Sequence, residues 1–454
     1  MNAITPHAAR RDRLAAQMRA LGGGVAVLAT ATEQMRNRDV DHPYRHDSYF
    51  HYLTGFIEPQ ALLVLRAAAD GSTTSVLFCR PKDEAREIWD GYRFGPEAAR
   101  EAFGVDAAHP IDALDAQLPD LLADQPALFV PLSAATEVDA PLARALEALA
   151  ARARSGVRAP ATRHDLLPLL DEMRLIKDER EADAMRRAAR IAAIGHVRAM
   201  QVCRPGLREH QLEAELLHAF RWHGAQAPAY NAIVAAGANA CVLHYRAADA
   251  ELRAGDLCLI DAGCELDSYA SDITRTFPVS GRFSAEQRAV YDIVLAAQRA
   301  AIDATRPGAS FNAPHDAALQ VLVRGLIDLK LLEGSVEAAL ETGSYRQFYM
   351  HRTGHWLGLD VHDVGDYFEP GAAPQADGKR PPRVLQPGMA VTVEPGLYLR
   401  AAPNVPAAFA GIGIRIEDDV LLTAGGCEVL SIDAPKDPAE VEALMRDAQL
   451  RAAA

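Results

Sequence analysis

Acidic side chains recur in four segments of this chain that otherwise have the composition of buried strands. The segments are DLCLIDAGC, SDITRTFPVSG, MAVTVEPGLYL and GIGIRIEDDVLLT, and the carboxylates concerned are Asp261, Asp272, Glu394 and Glu417. Side chains alternate between the two faces of a strand, so each carboxylate belongs to one defined face. Neighbouring strands can therefore bring these carboxylates to one place.

The electrostatics of such a cluster limit what it can be. A single carboxylate of this kind is most simply a strand-end charge or one partner of a salt bridge, but four together require another explanation. At about 4 Å and an effective dielectric constant near 20, each like-charged pair costs roughly 4 kcal/mol. Clustered carboxylates would become protonated or disrupt the fold unless positive charge lies nearby. Two divalent cations would supply that charge.

Histidines are concentrated in one glycine-rich segment, HRTGHWLGLDVHDVG, which contains His351, His355 and His362. The spacing resembles the HExxH motif of zinc peptidases only superficially, because Arg352 stands where that motif requires glutamate and the glycines disfavour a regular helix. Glycines also suit a tight loop close to a ligand. His244, in VLHYR, is a fourth candidate, although a lone histidine is more often structural. The three clustered histidines indicate a functional site.

Apolar patterning divides the chain into two domains. In the first third, short apolar runs alternate with polar helical stretches, which is typical of an α/β domain with a small sheet. Helical spacing then continues with a break only at Lys177 and Asp178, and strands later alternate with long helices in an α+β pattern. We expect domains over residues 1–174 and 175–454. The Pro-, Gly- and Ala-rich segment 369–387 predicts a surface loop near the site.

Charge and composition argue against several classes of partner. A formal net charge of −14 would repel nucleic acid and anionic membranes. No stretch reaches the roughly 18 uninterrupted apolar residues that a membrane-spanning helix needs. The N-terminal segment reads as a basic amphipathic helix without a signal-peptide pattern, and the six cysteines have no CxxC spacing, as expected of reduced thiols. We therefore expect a cytoplasmic protein that binds neither nucleic acid nor membrane.

Together, the motifs resemble one family of enzymes. The segments LIDAGCELDSYASDITRTFPV, HRTGHWLGLDVHDVG, TVEPGLY and GIGIRIEDD resemble the Xaa-Pro aminopeptidase (aminopeptidase P) family of pita-bread metallopeptidases. The likeness extends to YRHDSYFHYLTGF and EIWDGYRFG, which resemble the N-terminal domain of that family, and to LLDEMRLIKDEREADAMRRA at its domain junction. It implies an α/β N-terminal domain, an α+β pita-bread catalytic domain, and hydrolysis of the N-terminal Xaa-Pro bond of peptides with proline second.

The resemblance also implies a metal-ligand set. Asp261 would bind one metal, His355 and Glu394 the other, and Asp272 and Glu417 would bridge the two. The family typically uses Mn²⁺, which suits such oxygen-rich ligation. A metal-bridging hydroxide would attack the carbonyl group before proline, with the metals stabilising the oxyanion and Glu394 shuttling the proton.

Five further residues receive roles by the same resemblance. His244 and His362 would hydrogen-bond the substrate carbonyl or the tetrahedral intermediate, and His351 and Arg415 would line the proline side. Tyr398 together with Arg415 would orient Asp261, the kind of support that metal ligands usually require.

Alternative functions and an assembly also follow from the resemblance. Prolidase, a dipeptidase with the same five ligands, is the nearest alternative, and Trp356 after the histidine ligand disfavours it. A metal-free binding protein or a metal-independent amidinohydrolase on the same fold would not need five intact ligands. We also expect a homo-oligomer, a tetramer, in which Trp89 of EIWDGYRFG helps to cover a neighbour's active site. Otherwise Trp89 packs within its own domain.

Overall fold

The fold is described from a computed structural model, which covers residues 6–132, 137–375 and 378–453 of the 454-residue chain. The chain divides into two compact units, Met1–Met173 and Arg174–Ala454. Among the described residues, no helix is both long enough and apolar enough to cross a membrane. The six cysteines form no disulfide, and all but the half-buried Cys427 are buried.

The first unit is an α/β domain built on one mixed sheet of six strands. Its elements are, in chain order, α1 (Pro6–Ala20), β1 (Gly24–Ala29), β2 (Met35–Asn37), β3 (Val40–Asp41), α2 (Ser48–Thr54), β4 (Leu62–Ala67), β5 (Thr73–Cys79), α3 (Glu84–Asp90), α4 (Gly95–Phe103), β6 (Ala107–Pro110), α5 (Leu114–Leu122), β7 (Ala127–Val130), α6 (Asp139–Ala151) and β8 (Thr162–Asp165). The sheet order is β6-β5-β4-β1-β7-β8, with β4 antiparallel to both neighbours and the other pairs parallel. The α/β prediction is confirmed.

The central strands of this sheet are buried on both faces, and alternate residues of each strand form the core on one of them. Val25 and Val27 of β1 and Val64 of β4 belong to one buried cluster with Leu118 of α5 and Leu142 of α6. Residues two apart on a strand point to the same side, so the period-2 pattern of these runs places them in the core.

The N-terminal segment forms the predicted helix, but its charges are not all on a solvent face. Arg10 and Arg11 of α1 are buried. Arg11 donates to the carbonyl of Leu53 at 2.9 Å, and Arg10 donates to that of Tyr52 at 3.3 Å. Both carbonyls lie in the last turn of α2, where they have no partner within the helix. The arginines therefore satisfy the end of a neighbouring helix, which a purely amphipathic pattern does not anticipate.

The second unit is an α+β domain of antiparallel strands and long helices. Its elements are α7 (Leu167–Leu175), within which the division falls, α8 (Glu179–Val202), α9 (Glu209–Trp222), β9 (Ala227–Pro228), β10 (Ile233–Ala236), β11 (Leu257–Asp261), β12 (Cys264–Leu266), β13 (Tyr269–Ala270), β14 (Thr274–Pro278), α10 (Ala285–Ala304), α11 (Ala313–Asp328), α12 (Val336–Thr342), β15 (Ala390–Val393), β16 (Gly396–Leu399), β17 (Ile412–Arg415), β18 (Asp418–Thr423), β19 (Gly426–Val429) and α13 (Pro438–Ala453). Its sheets run in the orders β10-β11-β14, β13-β12-β9, β15-β18-β19 and β16-β17.

The predicted break in the helical pattern is the start of α8. Asp178 is the N-cap, and its carboxylate accepts hydrogen bonds from the backbone N–H groups of Arg180 and Glu181 at 3.0 Å. Glu181 in turn accepts from the backbone N–H of Asp178 at 2.8 Å. This reciprocal capping box satisfies N–H groups that have no partner within a helix.

The segment 369–387 has no helix or named strand among its described residues, as its composition predicts. Its flanking residues Tyr367 and Phe368 lie in the wall of the central cavity.

Candidate metal centre

The strands bring the predicted carboxylates together at their ends. β11 and β14 pair antiparallel with Asp261 opposite Thr274, so Asp261 and Asp272 lie at the same edge of one sheet. Glu394 directly follows β15, and Glu417 stands between β17 and β18. Three separate sheets thus contribute one carboxylate or more to a common site.

One imidazole joins these carboxylates. Asp272, His355 and Glu417 each offer a ligand atom, and these atoms all lie within 4.8 Å of one another. Nε2 of His355 lies 3.5 Å from Oδ2 of Asp272 and 3.8 Å from Oε1 of Glu394. Nδ1 of His355 donates to the carbonyl of Trp356 at 2.9 Å, which directs Nε2 towards the carboxylates.

Burial disfavours the charged form of Asp261, Glu394 and Glu417, whereas the pKa of Asp272 is lowered because its contacts with His355 outweigh its burial. Burial raises the pKa of Asp261, against the lowering effect of Arg415, and it raises the pKa of Glu394 to about 7. The pKa of Glu417 is raised well above its ordinary value by burial and by the neighbouring carboxylates. Buried carboxylates that lack a neighbouring cation have raised pKa values, and a divalent cation bound among them lowers these values again. An oxygen-rich set with one imidazole therefore fits divalent metal ions.

The other predicted histidines surround the same site. The rings of His355 and His362 lie 4.1 Å apart, and Nδ1 of His351 lies 3.8 Å from Oε2 of Glu394. Burial lowers the pKa of His351 to about 4 and also lowers that of His362. His244 is exposed and lies in the wall of the same cavity. At neutral pH, His351 and His362 are therefore uncharged.

Arg415, Tyr398 and His351 form a chain of hydrogen bonds beside the carboxylates. Arg415 donates from Nη1 to the Tyr398 hydroxyl at 3.0 Å, and Nε2 of His351 lies 2.8 Å from the same hydroxyl. Nδ1 of His351 donates to the carbonyl of Arg352 at 2.7 Å, so Nε2 accepts from the hydroxyl. Tyr398 is buried and links the arginine to the histidine.

Two further side chains at the site were not predicted. The Tyr230 hydroxyl lies 2.5 Å from Oδ1 of Asp261 and also contacts Oδ1 of Asp272. Asp419 accepts from the backbone N–H of Asp272 at 3.1 Å. Tyr230 lies in APAYNAIV, whose pattern resembles that of any partly buried segment. Only the folded chain brings it to the carboxylates.

A cavity of about 590 Å³ opens onto the cluster. One wall is aromatic, with the rings of Phe311 and Tyr367 4.8 Å apart and Phe368 beside them. Buried Trp356 stacks on Tyr367 at 5.6 Å and fixes that wall. Every predicted site residue except Tyr398 lines this cavity: His244, Asp261, Asp272, His351, His355, His362, Glu394, Arg415 and Glu417.

Comparisons with known proteins agree with the geometry over nearly the whole chain. The profile of Metallopeptidase family M24 matches residues 183–424, and that of the aminopeptidase P N-terminal domain matches residues 7–129. The Xaa-Pro aminopeptidase of Escherichia coli K12 is 44% identical over 96% of both chains.

Solved structures give the same result. The aminopeptidase PepP of Pseudomonas aeruginosa superposes with a TM-score of 0.92 at 48% identity, covering 99% of this chain and 100% of its own. The E. coli aminopeptidase P with the inhibitor Pro-Leu has a TM-score of 0.92 at 43% identity, covering 98% and 99% of the two chains. These likenesses confirm the predicted pita-bread fold of the second unit.

Proposed function

Because this chain belongs to Metallopeptidase family M24 and carries an aminopeptidase P N-terminal domain, we propose that it removes the residue preceding a proline from the N-terminus of peptides. It is a peptidase. One observation supports this choice of substrate. The buried acidic cluster lies in the wall of a cavity that is also lined by aromatic side chains. Relatives over nearly its full length are Xaa-Pro aminopeptidases.

Five residues would hold two divalent metal ions, for which we propose Mn²⁺. Asp261 would bind one ion, His355 and Glu394 the other, and Asp272 and Glu417 would bridge them. Bound there, the ions would polarise the scissile carbonyl and lower the pKa of a water molecule.

The chain's own residues hold the substrate and move protons. His244 and His362 line the cavity beside the carboxylates and would donate to the carbonyl oxygen that precedes proline. Glu394 carries the proton to the leaving nitrogen, because its carboxylate lies beside His355 at the centre of the site. Arg415 keeps Asp261 in place throughout.

The aromatic wall accounts for proline selectivity. A proline amide has no N–H and its ring fixes the backbone, so a site that grips an extended backbone by hydrogen bonds binds it poorly. The faces of Phe311 and Tyr367, with His351 at the cavity wall, offer packing for a ring instead. The E. coli relative with bound Pro-Leu is consistent with a proline-binding site.

Peptide length tests this proposal against prolidase. We expect the Mn²⁺-loaded chain to cleave Ala-Pro-Ala with a higher kcat/KM than Ala-Pro, and to leave Ala-Ala-Ala intact. A preference for the dipeptide would assign the chain to prolidase. Rapid cleavage of Ala-Ala-Ala would rule out both assignments.

We also propose a homotetramer working in the cytoplasm. The side chain of Trp89 is 84% exposed, next to Ile88 at 83%, which leaves an apolar surface available for a second copy of the chain. The six free thiols suit a reducing compartment.

A further inference from the structure

A second cavity, of about 480 Å³, lies beside the first. The two cavities share four wall residues, namely His244, Asp261, Asp272 and His362. In the proposed function these residues surround the scissile carbonyl. A substrate placed there has its proline on one side and its first residue on the other, so each cavity receives one of them.

The side chains that line each cavity indicate which substrate residue that cavity binds. The aromatic wall formed by Phe311, Tyr367 and Phe368 belongs only to the larger cavity, as do His351 and Arg415, and this wall suits the proline ring. The residues found only in the wall of the second cavity are Tyr230, Asn231, Ile233, Arg246 and Val361. The residue in front of proline therefore occupies the second cavity.

Among the described residues that line the second cavity, Arg246 is the only lysine or arginine. Its side chain is exposed, and within the described part of the chain it makes no hydrogen bond or ion pair. Arg246 stands two residues after His244, so a group held near the carbonyl-binding histidine is also near this guanidinium. An unpaired guanidinium is a ready partner for a carboxylate, which it can bind through two parallel N–H groups.

A buried glutamate fixes the segment that carries Arg246. Glu209 is fully buried and accepts from the backbone N–H of Ala236 at 2.8 Å and from Nδ2 of Asn239 at 3.0 Å. Its other oxygen accepts from the backbone N–H of Ala250 at 3.0 Å. Both ends of the segment between these residues are thus tied to one carboxylate, which holds Arg246 near the cavity.

We propose that Arg246 determines specificity and makes the enzyme prefer peptides whose first residue is acidic. The inference rests on the proposed function and adds the class of first residue. A glutamate or aspartate side chain in the second cavity reaches the guanidinium, whereas a lysine or arginine is repelled. Exposed ion pairs contribute little, so the preference is about threefold to fivefold.

The test compares isosteric first residues. We expect the wild-type, Mn²⁺-loaded enzyme to cleave Glu-Pro-Ala with a kcat/KM about threefold or more above that of Gln-Pro-Ala, and the ratio to fall as salt is added. Arg246→Gln should bring the ratio to about one. The ratio is taken within each variant, so a general change in activity cancels. Arg282→Gln is the matched control, because Arg282 is exposed and lines neither cavity, and it should keep the wild-type ratio.

Two outcomes would overturn the inference. A ratio of one in the wild type, or the same ratio in wild type and Arg246→Gln, would show that Arg246 does not select the first residue. Ala-Pro-Ala separates this failure from a failure of the proposed function. If the wild type cleaves Ala-Pro-Ala, only the role of Arg246 is lost. If it cleaves none of the three peptides, the proposed function fails and the inference fails with it.

Discussion

Arg415 donates from Nη2 to Oδ2 of Asp261 at 2.6 Å, so a buried cation holds a predicted metal ligand in position. The same guanidinium donates from Nη1 to Tyr398 and from Nε to Oγ1 of Thr274 at 3.1 Å. One planar group therefore reaches three partners from three separate nitrogens, whereas the three N–H donors of a lysine all stand on one nitrogen and cannot span the same three positions.

Arg415→Lys should weaken Mn²⁺ binding and kcat/KM by about 10-fold to 100-fold, because Asp261 loses its orientation while the positive charge remains. Tyr398→Phe is the control, since it removes one contact of the guanidinium and should have a smaller effect. Calorimetric Mn²⁺ titration and steady-state kinetics measure the two quantities. Wild-type metal affinity in Arg415→Lys would contradict the orienting role.

Above about pH 7, the buried histidines whose pKa is lowered are largely uncharged in both the folded and the unfolded chain. From there to about pH 9, the stability of the metal-free protein should therefore fall as pH rises. Burial raises the pKa of Glu394 to about 7, and Asp272 raises that of His355 to about 9 although burial acts in the opposite direction. The folded chain then holds protons that the unfolded chain has lost, so both contributions are present at low pH and disappear as pH rises. Mn²⁺ needs deprotonated ligands, so its stabilising effect should grow over the same range.

Thermal unfolding of the chelated and the Mn²⁺-loaded protein across this range tests the pH prediction. The difference in Tm between the two forms should widen with pH. A chelated protein that becomes more stable towards about pH 9 would contradict the assigned directions of these pKa shifts.

A buried ion cluster holds the loop that carries His362. Asp363 accepts from Arg174 at 2.6 Å and from Lys177 at 2.9 Å, and its backbone N–H donates to the carbonyl of Trp356 at 2.9 Å. Asp363→Asn should cost about 3 to 5 kcal/mol, because it removes the buried anion that neutralises Lys177 and one of the acidic partners of Arg174, and it should lower kcat by displacing His362.

The matched control for that change is an exposed ion pair. Arg288 and Asp292 form one at 2.8 Å on the surface of α10, and Asp292→Asn should change stability by less than about 1 kcal/mol. Denaturant unfolding of the metal-loaded variants measures both. Equal losses would show that the buried cluster has no special role.

Trp89 offers a test of the proposed assembly. The possibility that Trp89 is a core residue of its own domain is wrong in this structure, since its side chain is 84% exposed. Trp89→Ala should therefore change the stability of the chain by less than about 0.5 kcal/mol. It should nevertheless impair proline-substrate binding if a neighbouring copy contributes this side chain to the site. A monomer in sedimentation that is fully active at the assay concentration would rule out a shared site.

The strand positions of the acidic ligands were predictable because an acid in an apolar period-2 pattern is conspicuous. Which acid faces the site was harder to predict from the residues alone, as the run Glu417, Asp418, Asp419 shows. The structure places only Glu417 in the cavity wall. Asp418 is instead paired with Arg275 at 2.7 Å, and Asp419 accepts from a backbone N–H. These partners are distant in sequence, so no local pattern predicts them.

The unpredicted residues share a physical reason. Tyr230 and Arg246 act through groups that only the tertiary fold places next to them, and neither stands in a charged or periodic pattern. The burial of Arg10 and Arg11 in the predicted basic amphipathic helix has a similar reason, because sequence periodicity carries no information about the neighbouring helix end to which they donate.

The most direct test of the metal centre is a Mn²⁺ titration of the chelated protein, with turnover of Ala-Pro-Ala followed at each addition. We predict two Mn²⁺ ions bound per chain, with activity rising as they bind. Glu417→Ala should lose at least one ion and nearly all turnover, because it removes a carboxylate that neighbours both Asp272 and His355. Turnover in the absence of divalent metal, or near-wild-type rates for Glu417→Ala with Mn²⁺ present, would contradict the dinuclear assignment.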